Sequence, residues 1–129
     1  MEIKNAIIES VVLDISDRNL LTAWLTLDYG GGLHQGFGGH VLYLPKSFKH
    51  HGDFGYAGHF IFRCLEVAGV ESWDKLKGKT IRVKSDKEGL GGKIIAIGHI
   101  VNDDWFDPSE DFKKIREINI ASLLKEQES

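Results

Sequence analysis

A twelve-residue segment, Tyr29-Gly-Gly-Gly-Leu-His-Gln-Gly-Phe-Gly-Gly-His40, constrains the fold of this 129-residue chain more than any other feature. Six of its residues are glycine. Glycine loses much entropy on folding and adds no packing inside a strand, so glycines concentrate where a backbone bends sharply or approaches another surface closely. The remaining residues are mostly polar or aromatic. The segment therefore predicts either a ligand-binding surface or a bulged, flexible hairpin between two strands.

Composition indicates one domain that spans residues 1–129, because 42% of the residues are hydrophobic and the length suits a single core. We expect an ordered core over about residues 3–112 and a tail, 113–129, that serves as an oligomerisation or docking element. The net charge of −3 argues against long nucleic acid, which requires a concentrated basic surface. No apolar run is long enough to span a bilayer, and the N-terminus does not resemble a signal peptide, so we expect a cytoplasmic protein without a membrane partner.

Alternating and β-branched residues predict a mostly antiparallel sheet of about five strands. These strands are predicted over residues 3–13, 20–28, 37–44, 79–85 and 93–101. Residues 56–69 place apolar side chains at helical spacing and end at Gly69, a typical C-terminal cap. Residues 72–76 predict one further helical turn, and 46–55 and 102–110 predict loops. The fold class is therefore α+β, with one main helix packed on the sheet and a short C-terminal helical element after Asp111.

Catalytic motifs are missing from the sequence: it has no Gly-x-Ser-x-Gly elbow and no phosphate-binding P-loop. The glycine segment leads into a predicted strand, whereas a dinucleotide fingerprint must open a helix. The six histidines lack the spacing of zinc sites, and the single cysteine, Cys64, falls on the apolar face of the helix. We therefore expect no metal, no cofactor and no catalytic residue, although His40 and His99 are a conceivable acid–base pair.

Aromatic and cationic side chains instead favour the binding of a nucleotide-like ligand. Phe37 and Trp105 are candidate stacking rings, as is Trp24, whose alternative role is to cover a face of the sheet. Arg63 and Arg82 are candidate phosphate ligands, because arginine binds phosphate through two parallel hydrogen bonds.

Several of these side chains have an equally simple structural interpretation. Arg63 lies three residues before Glu66, so the two can form an ion pair on the helix surface. Arg82 alternates with apolar residues and can be an ordinary exposed strand arginine. His99 lies on an otherwise apolar strand and can be a core histidine with its hydrogen bonds satisfied.

Three segments resemble a family of small proteins encoded by bacteriophages and prophages. They are Leu27-Asp-Tyr-Gly-Gly with Gln35-Gly-Phe-Gly-Gly-His-Val-Leu, Gly58-His-Phe-Ile-Phe-Arg-Cys-Leu-Glu-Val-Ala-Gly-Val-Glu-Ser-Trp, and Ile97-Gly-His-Ile-Val-Asn-Asp-Asp-Trp-Phe-Asp-Pro. Over about residues 3–112 the pattern is similar to the first-described Thoeris anti-defence family. The resemblance implies a non-enzymatic protein that sequesters cyclic ADP-ribose isomers made by bacterial TIR-domain proteins, in the cytoplasm of the bacterial host. It also implies dimers or rings of dimers, and in some members a separate site for cyclic oligonucleotides.

The resemblance carries over to few positions: Gln35, Phe37, Gly38 and Gly39 in the glycine segment, Arg63 on the helix, and the segment from Gly98-His99 to Trp105. In this interpretation Phe37 stacks on the adenine, while Arg63 and Arg82 hold the pyrophosphate. Backbone N–H groups of the glycines and of the helix start complete the anion site. The full set of predicted ligand contacts is Gln35, Phe37, Gly38, Gly39, His40, Gly58, Arg63, Arg82, His99 and Trp105. Two other functions stay open: an enzyme that cleaves such a nucleotide with His40 or His99, and an inhibitor that binds a host protein.

Overall fold

The computed structural model describes residues 1–42, 55–89 and 91–128 of the chain. Within them, six strands form one antiparallel sheet in the order β3-β2-β1-β4-β5-β6. The elements in chain order are β1 (Glu2–Asp17), β2 (Leu20–Gly30), β3 (Leu33–Gly38), α1 (Tyr56–Ala68), a 3-10 turn (Trp73–Leu76), β4 (Thr80–Ser85), β5 (Ile94–Gly98), β6 (Trp105–Phe106) and α2 (Pro108–Glu128). The predicted α+β class is confirmed, with six strands where about five were expected.

The third strand begins earlier than predicted. We expected it over 37–44, but β3 covers Leu33–Gly38, because the chain turns at the first three glycines of the glycine segment. Gly30, Gly31 and Gly32 all have positive φ, at 90°, 62° and 82°, which glycine adopts without steric cost. Residues 43 and 44 of that prediction, and residues 46–54 of the predicted loop with His50 and His51, lie outside the described residues.

The region after β5 also differs from the prediction. β6 is a two-residue strand inside the predicted loop 102–110, too short for any periodicity to indicate. The C-terminal helix is long: α2 has 21 residues and begins at Pro108, a residue that suits the first helical position. Asp107 caps it, since its Oδ1 accepts a hydrogen bond from the backbone N–H of Glu110 at 3.1 Å.

The core lies between α1 and the inner face of the sheet. Phe60, Cys64 and Val67 are the buried residues of α1, and they follow the predicted helical stripe. The ring of Phe60 stacks on Phe37 of β3, with ring centroids 5.8 Å apart, and meets Phe106 of β6 edge-on at 5.5 Å. Phe37 and Phe106 are themselves 6.2 Å apart. Because β3 and β6 are the first and last strands of the sheet, these contacts show that the sheet curls until its two ends approach each other.

A seam therefore separates β3 from the β5–β6 end of the sheet. Gln35 bridges this seam: its Nε2 donates to the carbonyl oxygen of Gly92 at 2.9 Å, and its Oε1 accepts from the hydroxyl of Tyr29 at 2.8 Å. The side chain that we expected to contact a ligand thus joins the two ends of the sheet through its Nε2, while its Oε1 is held by Tyr29 of the neighbouring strand β2.

The later glycines of the glycine segment accommodate a side chain of the protein itself. The indole of Trp24, on β2, lies against the backbone at Gly36 and Gly39, where an added Cβ would come within 3.1 Å and 2.2 Å of ring atoms. At Gly38 a Cβ would lie 2.1 Å from the carbonyl oxygen of Ala23. The close backbone approach that the glycines predicted is real, and the group that approaches is Trp24.

We predict that Gly39→Ala and Trp24→Ala are strongly coupled in stability. In the wild-type background the new methyl group collides with the indole and also occupies a left-handed backbone position, φ 74°. In the Trp24→Ala background only the backbone cost of about 1–2 kcal/mol remains. Urea unfolding of the two single variants and the double variant measures this difference; equal costs of Gly39→Ala in both backgrounds would contradict the packing described here.

Candidate functional site

A cleft of about 580 Å³ opens in the seam, and we call it the seam cleft. Its described lining combines the indole of Trp24 with one lysine and several hydrogen-bonding groups, among them Lys93, Asp86, Asp107, Ser109 and Glu110. Trp24 is 45% exposed, so its indole presents a free face. One cation against three carboxylates makes this lining acidic.

A second cavity of about 390 Å³ lies between the start of α1 and the first turns of α2, and we call it the helix groove. It is lined by His40, Val41, Tyr56, Ser109, Phe112, Lys113 and Arg116. Ser109 is three and four residues before Phe112 and Lys113, and Arg116 is four and three residues after them, so α2 presents these four on one face. His40 and Ser109 line both cavities, which places the helix groove directly beside the seam cleft.

His40 stands where the two cavities meet. Its ring packs near Phe60 and Phe112, with centroids 6.1 Å and 5.6 Å away. Within the part of the chain that the structure describes, its Nδ1 is buried and has no hydrogen-bond partner. An unsatisfied buried polar atom costs about 1–3 kcal/mol, so the Nδ1 of His40 lowers the stability of the fold. A role in binding a ligand is therefore easier to argue for His40 than for the other predicted site residues.

Burial lowers the pKa of His40, and the nearby Asp107 carboxylate opposes this only in part. The imidazole is therefore neutral at neutral pH and gains a proton only in more acidic solution. Neutral imidazole offers one donor and one acceptor nitrogen, which suits a polar ligand at the junction of the two cavities.

The stacking role predicted for Phe37 is contradicted by its burial. The side chain is 3% exposed and is occupied by Phe60 and Phe106, so it presents no face to an adenine. In β3 the residues with inward and outward side chains alternate, and the register with β2 directs Phe37 inward beside Leu25. The simpler role expected for Trp24 was to cover a face of the sheet. Its exposed indole instead borders the seam cleft.

The two arginines expected to hold pyrophosphate are engaged within the protein. Arg63 pairs with Glu66, as its structural interpretation predicted, and its Nη2 also donates to Asp104 at 2.8 Å and to the carbonyl oxygen of Trp105 at 2.8 Å. Arg82 donates to the carbonyl oxygens of His99 and Asn102, both at 2.7 Å. These bonds fix the loop between β5 and β6, and neither arginine lines the two cavities.

His99 and Trp105 belong to the same structural loop. The Nδ1 of His99 accepts backbone hydrogen bonds from Val101 and Asn102 at 3.1 Å and 2.9 Å, so the ring shapes the loop. Trp105 lies flat on Gly98, and the guanidinium carbon of Arg82 is 4.7 Å from the centre of its ring. His99 is therefore not brought into a cavity with His40, and the predicted acid–base pair does not assemble.

The backbone donors expected to hold an anion are also placed differently. The N–H of Gly39 donates to the carbonyl oxygen of Ala23 at 2.8 Å, so strand pairing uses it. Gly58 is exposed on α1, with open space beside it, but it lines neither cavity. Of the ten predicted contacts, the seam cleft gathers Gln35, Phe37, Gly38 and His40.

Five residues that line the two cavities were not among the predicted ligand contacts: Lys93, Asp107, Ser109, Lys113 and Arg116. Their positions follow from the curl of the sheet and from where α2 begins, and the sequence carries only one local signal of either, the Asp107-Pro108 pair that opens a helix.

Cys64 is in the core, as its position on the helical stripe predicted. It is 0% exposed, and burial raises the pKa of its thiol, so it remains protonated and unreactive. Among the described residues, no group of three or more His, Cys, Asp or Glu side chains is arranged to hold a metal ion. None of the helices in the same residues is long and apolar enough to cross a membrane.

Comparisons of the sequence with known proteins give no family: neither a protein-family model nor a curated protein matches the chain. The resemblance to the Thoeris anti-defence family therefore stays an expectation, and the geometry of the two cavities carries the functional argument.

We predict that His40 makes folding stability fall in mildly acidic solution. The unfolded chain binds a proton at His40 with the ordinary pKa of about 6.5, whereas the folded chain binds it only at lower pH. Its contribution to stability is therefore complete above about pH 6.5 and is lost as the pH falls from there towards the folded-state pKa.

The His40→Phe variant should lose this part of the pH dependence in urea unfolding, while His34→Gln, a change at an exposed histidine, should keep it. A ring-proton NMR titration that places the pKa of His40 at or above its ordinary value would overturn the prediction.

Proposed function

We propose that this chain is a phage anti-defence protein that binds and sequesters a cyclic ADP-ribose-type signal in the seam cleft without cleaving it. The observation that carries the proposal is the free indole face of Trp24 beside carboxylate, hydroxyl and ammonium groups in one cleft of about 580 Å³. That volume lies within the range of sites for small ligands. The ligand class comes from the resemblance, and the chemistry of the cleft is compatible with its parts.

Each part of such a ligand has a matching group in the seam cleft. The indole of Trp24 stacks on the adenine, because every base has a π-face. Asp86, Asp107 and Glu110 accept hydrogen bonds from ribose hydroxyls, a role that acidic residues play in many nucleotide sites. Lys93 attracts the phosphates. These assignments replace Phe37, Arg63 and Arg82, whose side chains serve the fold.

Retention without turnover is supported by how the reactive groups are distributed. His40 borders the cleft, whereas His99 is bonded into the loop between β5 and β6. Cleavage by the predicted histidine pair requires both rings at the same bond, and of the two only His40 is in the described lining. A protein that works by capture must bind tightly, and a nanomolar dissociation constant corresponds to about −12 kcal/mol.

We predict that cyclic ADP-ribose isomers bind to the wild-type chain in isothermal titration calorimetry, and that Trp24→Ala weakens binding about 5- to 150-fold, since one base–aromatic stack contributes about 1–3 kcal/mol. The control is Phe62→Ala, which removes an aromatic ring that is 61% exposed on α1 and does not line the cleft.

After incubation and heat denaturation, mass spectrometry should recover the ligand intact. A cleaved product would favour the nucleotide-cleaving enzyme with His40, and preferential binding of a cyclic oligonucleotide would replace the ligand class.

A host-protein inhibitor is the second candidate function, and the far part of α2 favours it. Four large apolar side chains are 45–65% exposed there: Ile118, Ile120, Leu123 and Leu124. Capture of one host protein in equal amount, without any nucleotide binding in calorimetry, would select this function over the first.

The chain also forms a homodimer in this proposal, and the open edge of β1 supports it. β1 pairs with β4 only from Glu2 to Ile7, while it pairs with β2 as far as Asp17. Among the described residues, no strand pairs with the outer edge of residues 9–17, which contains neither lysine nor proline to protect it. An antiparallel copy centred on Val12 adds a strand here without placing like charges opposite each other, because it sets Glu9 opposite Ile15.

We predict that Val12→Lys converts this dimer to a monomer in size-exclusion chromatography with light scattering. The side chain is 44% exposed, and a two-fold axis at this position brings the two introduced ammonium groups face to face. Val12→Thr, which keeps the β-branched shape, and Ile3→Lys, where β1 is already paired with β4, should stay dimeric. A monomeric wild-type chain, or dimer loss in Ile3→Lys as well, would exclude the β1 edge as the interface.

A further inference from the structure

The helix groove and the seam cleft differ in charge although they touch. Lys113 and Arg116 line the helix groove, and among the described residues no carboxylate does. The acidic residues of α2 near them do not line the groove: Glu110 lines the seam cleft, Asp111 contacts the Nε2 of His59 at 2.7 Å, and Glu117, the residue after Arg116, lines neither cavity. The groove is thus cationic, whereas the adjacent cleft is acidic.

Both cations of the groove are available to a ligand. Within the described residues neither Lys113 nor Arg116 has an ion-pair partner, in contrast to Arg63, which binds two carboxylates. The spacing of three residues directs the two side chains to the same face of α2. An unpaired guanidinium and an unpaired ammonium at one groove form a suitable site for an oxyanion, since arginine binds it through two parallel bonds and lysine as a point charge.

The surroundings of these cations strengthen their attraction for an anion. The ring centroids of Tyr56 and Phe112 are 4.7 Å apart, and the two rings form an apolar wall of the groove beside the charges. α1 begins at this groove, and its first turn contains no acidic residue, so the positive end of its dipole is not offset by a carboxylate of that turn. Ser109 adds a hydroxyl donor on the side that faces the seam cleft.

We propose that the helix groove is a subsite for a phosphate or diphosphate group, held by Arg116 and Lys113, beside the nucleoside part of the site in the seam cleft. This inference rests on the proposed capture function and assigns the phosphate and nucleoside parts of the ligand to different cavities. Lys93 offsets only one of the three carboxylates of the seam cleft, so the cleft as a whole repels a diphosphate, whereas ribose hydroxyls can donate hydrogen bonds to the carboxylates. A ligand that crosses from one cavity to the other passes His40 and Ser109, the two residues that the cavities share.

Inorganic pyrophosphate tests the subsite by itself. We expect saturable binding to the wild-type chain in calorimetry, about tenfold weaker in Arg116→Gln and in Lys113→Gln, because each removes one charge-assisted contact. Lys114→Gln is the matched control: it removes the same charge from the next position of α2 but does not line the groove. Circular dichroism checks that each variant keeps its helices, and glutamine is a good helix former.

The pKa of His40, measured by NMR, distinguishes binding in the groove from a general effect of the charge change. A bound phosphate places negative charge beside the imidazole, so pyrophosphate near its wild-type dissociation constant should raise the pKa of His40 clearly in the wild-type chain and much less in Arg116→Gln. No saturable binding up to about 10 mM pyrophosphate, or equal weakening by Lys114→Gln, overturns the subsite.

The outcomes separate this inference from the capture function. If pyrophosphate binds as described but no cyclic ADP-ribose isomer does, the subsite holds and the proposed function fails. If the isomers bind and Arg116→Gln leaves both their affinity and its salt dependence unchanged, the capture function holds and the subsite fails.

Discussion

The contact between Phe37, Phe60 and Phe106 is the constraint on which the rest of the molecule depends. It joins the two edge strands of the sheet, β3 and β6, through the main helix α1, and all three rings are buried. Because it draws the two ends of the sheet together, a seam forms between them, and polar side chains of β3, of the connection between β4 and β5, and of early α2 meet there. A flat sheet of the same strands would leave these groups far apart.

The sequence predicted those parts of the fold that short-range periodicity encodes. The alternation in β2 and the helical stripe of α1 are properties of neighbouring residues, so both elements were found. The start of β3 was missed because three consecutive glycines allow several turn positions, and only pairing with β2 selects one. β6 was missed because two residues carry no period.

The site was less predictable than the fold, for a physical reason. Arg63 has its strongest partner, Asp104, at a sequence distance of 41 residues, and no local pattern shows that this guanidinium is already neutralised. The same holds for Arg82 and the loop that it binds. By contrast, Arg116 resembles any surface arginine in the sequence, and it becomes a candidate ligand only because α2 begins at Pro108 and directs it towards His40. Whether a charge is available depends on tertiary contacts.

The length of α2 has a mechanical consequence. Its 21 residues extend about 31 Å, and its first turn is held to α1 by the contact between His59 and Asp111. The groove lies at this held end, whereas the exposed apolar side chains from Ile118 to Leu124 are at the other. The helix is therefore anchored at its N-terminal end, close to His40, while its C-terminal part projects away from the groove. If a partner binds the far end, its effect on the proposed anion subsite would pass along this one helix, without a contact between the two sites.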